Sequence, residues 1–372
     1  MTNLELFYFT GKCLTIAEHP GFREEIIEKI MADSIDWQKF VGLCSNHLIL
    51  PVIYLKLKSQ DILEYLPEEV SEYLKEIYDL NRTRNNQILK QLEEVTGILN
   101  KGNIYPVYLK GAGHLLDGLY TDTGERMMGD IDLLVPEKDY LSAANLIEKE
   151  GYSADCPAYL DVESQKHYPR LFKASVPADI EIHRLPVSKD FQSWFNPELI
   201  FKEKKIVSSL EGCFTPSDKH NIIHNFIHSQ LAHEGYLYGK TAFRDLYDLY
   251  LLSKRAEVKQ TVLDIKTKQK AIAYFAFAGK ALGLPEEFYP ANNLSSWLFT
   301  KKHELNYGSR AFFYTYRTII YITRRIVIGF TSQIIQSLYS KKMRQSVFRR
   351  LSDRQYLHAN LDAYKRFFSP NK

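Results

Sequence analysis

Three acidic side chains in this chain stand at spacings that suit phosphate chemistry. Asp130 and Asp132 lie in the run MMGDIDLLV, and Glu181 lies further on in ADIEIHR. Both runs alternate acidic and apolar residues, the pattern of a strand with one buried face. Residues i and i+2 of a strand share a face, which puts Asp130 and Asp132 about 7 Å apart along it. Ile131, Leu133 and Val135 then turn into a core. Two carboxylates on one face repel each other, and a cation between them relieves the repulsion. Mg²⁺ takes oxygen ligands, usually one or two carboxylates plus substrate phosphates. Two such ions about 4 Å apart bind both the attacking and the leaving oxygens of an in-line displacement. Glu181, between Ile180 and Ile182, supplies the third carboxylate; Asp179 shares its face and competes for the role. DxD strings are also common in solvated turns, but a turn does not explain apolar residues on both sides of the pair.

Other elements must position these groups. The strand-like run YPVYL leads into Lys110-Gly111 and then a short helix-like segment. Gly111 lets the backbone turn sharply and approach a ligand, N–H groups at a helix start favour anions, and Lys110 offers a point charge to a phosphate. The bland alternative is a plain strand-to-helix turn with a solvated lysine; the nearby aspartates favour phosphate contact. Arg126 either clamps a phosphate or pairs with Glu125 or Asp122. His183 shares the strand face of Glu181, where it assists proton transfer, touches the substrate, or simply hydrogen-bonds the carboxylate. His220, His224 and His228 recur every four residues on a helix. They read first as a cleft-lining or structural face and last as a zinc site, since no HExxH string or cysteine pair accompanies them. Arg244 and Asp248 stand i, i+4 in FRDLYDLYLL, the spacing of a helical ion pair that buttresses a wall.

Order and combination of motifs then point to a family. Trp37, Phe40, His47 and Pro51 open the series. Leu109-Lys110-Gly111-Ala112 with Leu115 and Tyr120 comes next, then Arg126 before Asp130-Ile131-Asp132, and Gly151-Tyr152 after a helix. Glu181 and His183, then Arg244, Asp245 and Asp248, close it. Over roughly residues 30 to 255 the chain resembles the bacterial uncharacterised nucleotidyltransferases within the polymerase-β-like nucleotidyltransferase superfamily. It departs from the wider superfamily in carrying Gly111-Ala112-Gly113 where Gly-Gly or Gly-Ser is usual, and in a longer gap from Gly111 to Asp130. Both features are similar to the uncharacterised group. The resemblance implies an NTP substrate and two Mg²⁺ ions held by Asp130, Asp132 and Glu181. Lys110, Gly111, Arg126 and His183 fall on the nucleotide side.

Composition bounds the rest. A chain of 372 residues with 45% apolar and 25% charged residues reads as a soluble globular protein of two or three domains. Cys13, Cys44, Cys156 and Cys213 are scattered, which fits free thiols in a reducing compartment. The N-terminus lacks a basic start and a clean apolar core, so no signal peptide is expected. Residues 301–372 hold 15 Lys and Arg against 3 Asp and Glu, a net of +12, whereas residues 1–300 are net −9. A basic tail on an acidic body suggests an anionic partner, a membrane surface or RNA. The stretch AFFYTYRTIIYITRRIVIGF is interrupted by Arg317, Arg324 and Arg325, and falls short of a spanning helix. Packing on the acidic body as an ordinary helical subdomain is the plain alternative.

The expected fold is α+β: a small mixed sheet forming a nucleotidyltransferase core, flanked by N-terminal and C-terminal helical domains. The divisions are a helical domain over 1–100, the core over 101–190, a helical domain closing the cleft over 191–300, and a basic helical segment over 301–372. The expected activity is Mg²⁺-dependent transfer of a nucleoside monophosphate from an NTP to an acceptor. The expected location is cytoplasmic, with a peripheral membrane association through the basic segment as one option. A phosphotransferase on the same scaffold and a catalytically silent binding or scaffold module are the rival readings.

Overall fold

A computed structural model describes residues 1–154, 165–284, 293–324, 329, 331–354, 358, 361–362 and 365. Cys156 and Arg325 lie outside them. The chain forms two compact units, residues 1–304 and 305–372.

The first unit is α+β. Five helices lead: α1 (Asn3–Leu14), α2 (Pro20–Met31), α3 (Trp37–Asn46), α4 (Leu50–Lys58) and the 34-residue α5 (Glu68–Lys101). A seven-stranded mixed sheet follows: β1 (Val107–Tyr108), β2 (Asp130–Leu134), β3 (Ser153–Ala154), β4 (Leu171–Phe172), β5 (Asp179–His183), β6 (Lys205–Ile206) and β7 (Phe214–Thr215). Its order is β3-β4-β5-β2-β1-β7-β6. The pairs β2–β5 and β1–β7 run parallel, and the other neighbours antiparallel. Short helices α6 (Lys110–Leu116), α7 (Tyr140–Lys149) and α8 (Pro197–Lys202) connect the strands. Then come α9 (Asp218–Phe226), which continues as a π-helical turn over Ile227–Ala232, α10 (Gly235–Tyr238), α11 (Phe243–Ser253), α12 (Val258–Leu263) and α13 (Lys268–Leu282). Helix α14 (Leu294–Gly308) follows.

The sheet draws β6 and β7 from beyond residue 190, where sequence periodicity suggests only helices. Two-residue strands carry too few side chains to show alternation, which explains the difference.

Ile131, Leu133, Ile180 and Ile182 are fully buried on one face of the central pair. Ile88, Leu92, Val95 and Leu99 of α5 join them in one core cluster, at the spacing of a helix stripe. Helix α5 also fixes strand position through polar groups. Arg84 donates to the carbonyls of Met128, Gly129 (3.4 Å) and Pro177 (2.9 Å), just ahead of Asp130 and Asp179. The Gln91 side chain donates to Ala178 O (2.7 Å) and accepts from Ala178 N (3.2 Å). One helix therefore holds the starts of both acidic strands.

The second unit is helical where described, with α15 (Arg310–Tyr321), α16 (Thr331–Tyr339) and α17 (Lys341–Ser352). None of these three helices contains an acidic residue. No single helix among the described residues is long and apolar enough to cross a membrane.

Candidate active site

The parallel register between β2 and β5 sets Asp130 beside Asp179, Asp132 beside Glu181, and Leu134 beside His183. Both strands present acids on the same side, so four carboxylates line one face. Asp132, Glu181 and His183 bring ligand atoms within 4.8 Å of one another. Oxygen donors from two strands suit a hard divalent cation.

Asp132 is buried, and its charge is compensated. Lys110 Nζ lies 2.6 Å and His183 Nε2 2.8 Å from its Oδ1. Burial alone would raise the Asp132 carboxyl; the ammonium of Lys110 and the hydrogen bond from His183 hold it well below the usual range. His183 is fully buried and its Nδ1 has no partner. A proton on Nε2, donated to Asp132, leaves Nδ1 as an orphan acceptor rather than an orphan donor, so this tautomer fits best. Glu181 is held down to about 2 chiefly by His183, whose Nε2 lies 3.5 Å away, with Arg170 assisting against the cost of burial. Asp130 goes the other way: burial and the neighbouring Asp132 charge raise it.

Lys110 has φ +49°, in the left-handed region where a side chain is disfavoured. The chain passes from extended Leu109 through this residue into α6, while Leu109 N donates to Asp132 O at 2.9 Å. A non-glycine residue in such a conformation beside a buried acid is a common mark of functional sites.

Gly111 and Arg126 lie against each other. A Cβ at Gly111 would stand 2.5 Å from Arg126 Nη1 and 3.2 Å from Met128 Cβ, so the glycine makes room for the guanidinium. Arg126 pairs with neither Glu125 nor Asp122. Its Nε and Nη2 donate to Asp248 of α11 at 2.9 and 2.8 Å. Tyr120 Oη adds a bond to Asp248 at 2.6 Å, and His114 lies 3.7 Å away. Burial would raise the Asp248 carboxyl, but Arg126 and His114 hold it far below its ordinary value. The helical Arg244–Asp248 pair is consequently absent; Arg244 lies 3.7 Å from Asp245 instead. Sequence spacing could not reveal this because the true partners are 122 residues apart.

Helix α9 and α11 wall a polar cavity of about 30 Å³ beside Lys110, lined also by His114, His224, His228, Asp245 and Asp248. That is room for about one water-sized group. Burial pushes His224 down to about 3 and also lowers His228, so both are neutral. The His220, His224 and His228 ladder does not converge into a metal cluster among the described residues.

Two basic residues near the carboxylates carried no motif. Arg170 Nη2 lies 2.8 Å from Glu181 Oε1 and 3.4 Å from Asp130 Oδ2. Lys166 is within electrostatic reach of Lys110, Asp132 and Glu181. The run KHYPR concentrates charge just ahead of a strand, which is the faint signal available in sequence.

The fold is α+β, with a carboxylate cluster on two adjacent parallel strands. The chain belongs to the family described as uncharacterised nucleotidyltransferase, whose profile matches residues 33–290. That membership supports nucleotidyl transfer as the general activity. A comparison with curated proteins found no match.

Proposed function

We propose that the protein is a metal-dependent nucleotidyltransferase that moves a nucleoside monophosphate from an NTP to an acceptor. The observation that carries this reading is the register of β2 on β5, which gathers Asp132, Glu181 and His183 into one cluster beside Lys110. Asp130, Asp132 and Glu181 would hold two Mg²⁺ ions; when bound, these neutralise the triphosphate and lower the pKa of the attacking hydroxyl. The chain's own residues supply positioning, on which phosphoryl chemistry chiefly depends. His183 orients Asp132. Lys110, whose ammonium rests on that acid, serves a phosphate at the carboxylate cluster. Arg126 and Gly111 act indirectly, by tying the segment ahead of β2 to α11.

Titration calorimetry with each of the four NTPs, in Mg²⁺ and in EDTA, tests this reading. Metal-dependent binding is expected for the native chain and is expected to vanish in Asp130→Asn/Asp132→Asn while the fold persists by circular dichroism. Retention of metal-dependent binding and turnover in that variant would overturn it. The mass gained by an acceptor then separates nucleotidyl transfer from transfer of a terminal phosphate.

A further inference from the structure

Each of the four carboxylates on the acidic face has a cation of the chain beside it, two positive charges shared among four acids. Lys110 serves Asp132. Arg170 serves the other three: Glu181 at 2.8 Å, Asp130 at 3.4 Å and Asp179 at 3.7 Å. The two cations differ in their surroundings. The Lys110–Asp132 pair is largely buried, whereas half of the Arg170 side chain is exposed. Exposed ion pairs contribute little and break readily, so Arg170 is the cation that can leave.

The backbone that carries it is fixed. Tyr168 N donates to Ile182 O at 2.8 Å, and Lys166 O accepts from Arg184 N at 3.1 Å and Leu185 N at 3.2 Å. Residues 166–170 thus run along the outer side of β5, and Arg170 can swing without the segment moving. A guanidinium matches phosphate oxygens with a two-pronged fork.

Resting on the function proposed above, we propose that Arg170 is a triphosphate-binding residue that in the free protein stands in for the divalent cation. When metal occupies the carboxylates, Arg170 gives up Asp130 and Glu181 and turns to the phosphate chain. Lys166, on the same segment and near Lys110, extends the basic wall that the phosphates meet.

The two halves of this role predict opposite effects of one substitution. Inorganic tripolyphosphate is the probe, because it needs no base preference. Without it, Arg170→Ala is expected to bind Mn²⁺ about 3- to 10-fold more tightly than the native chain, because a competing cation is gone. For the Mn²⁺–tripolyphosphate complex the same variant is expected to bind about 10-fold more weakly, having lost a charge-assisted fork. Arg170→Lys keeps the charge without the fork and should fall between on both scales. Electron paramagnetic resonance reads free Mn²⁺ directly, and a thermal melt confirms that each variant is folded. Unchanged or weaker Mn²⁺ binding in Arg170→Ala overturns the proposal, and so does tighter Mn²⁺ with unchanged tripolyphosphate affinity. Failure of the native chain to bind Mn²⁺ at all would sink the nucleotidyltransferase reading together with this one, and is distinguishable for that reason.

Discussion

At the scale of single residues, the acidic face works by holding charge where water would otherwise hold it. Glu181 is the clearest case. Its folded carboxyl titrates near 2, below the ordinary 4.5, because His183 and Arg170 favour the anion. A depressed acid contributes stability that is complete above its unfolded value and is lost as pH falls through the folded one. The expected outcome is a melting temperature that falls between about pH 4.5 and pH 2, with Glu181→Gln showing a shallower fall over that window. Melts across pH for both chains check it; parallel curves would contradict it. Asp130, Asp132 and Glu181 are legible in sequence because strand alternation marks them. Arg170 is not, since its partners come from two other strands and no local period links them. The fate of Arg126 is hidden for the same reason, its acid lying on a helix 122 residues away.

At the scale of elements, the site depends on a helix that contributes no acid to it. Arg84 and Gln91 of α5 grip the backbone just ahead of β2 and β5, and so set the spacing between the facing carboxylates. Removing the Arg84 fork leaves carbonyls at Met128 and Pro177 without that donor. A loss of about 1–3 kcal/mol is expected for Arg84→Met, read by urea unfolding. A fall in Mn²⁺ affinity should accompany it, although Arg84 touches none of the carboxylates in a hydrogen bond. Native metal affinity in a destabilised variant would show that the strands hold their register unaided. The helical character of residues 1–100, and the change to a strand-bearing core after them, are plain in the sequence. The reach of the polar side chains of α5 is not, because Arg, Asn and Gln on a helix normally read as solvated surface. Asn81 and Asn85 instead bind carbonyls in the 123–126 segment. The strands β6 and β7 were illegible for a simpler reason: each is two residues long.

At the scale of the whole molecule, charge is divided between the two units. Residues 305–372 contain three helices without an acid, and α16 exposes Ile334, Ile335, Leu338 and Tyr339. An exposed aliphatic helix followed in the chain by the basic α17 suits a headgroup layer better than stacked bases. The expected outcome is sedimentation of the full chain with phosphatidylglycerol vesicles, absent with phosphatidylcholine alone and weakened at high salt. Equal recovery with both lipids, or capture only by single-stranded RNA, would count against a lipid surface. The sequence shows the charge excess directly, whereas exposure of the apolar side chains needs the structure.

The Asp248 knot has a mechanical meaning. It bolts the loop leading into β2 to α11, with Tyr120, His114 and Arg126 all fastened to one buried acid. Glu125, the next residue along, is held by Tyr247 of the same helix. A hinge between sheet and helices at this point would have to pull apart a desolvated ion pair, at a cost of several kcal/mol. Motion between sheet and helices at this point is therefore resisted, and the wall beside Lys110 is held in place by the same buried acid.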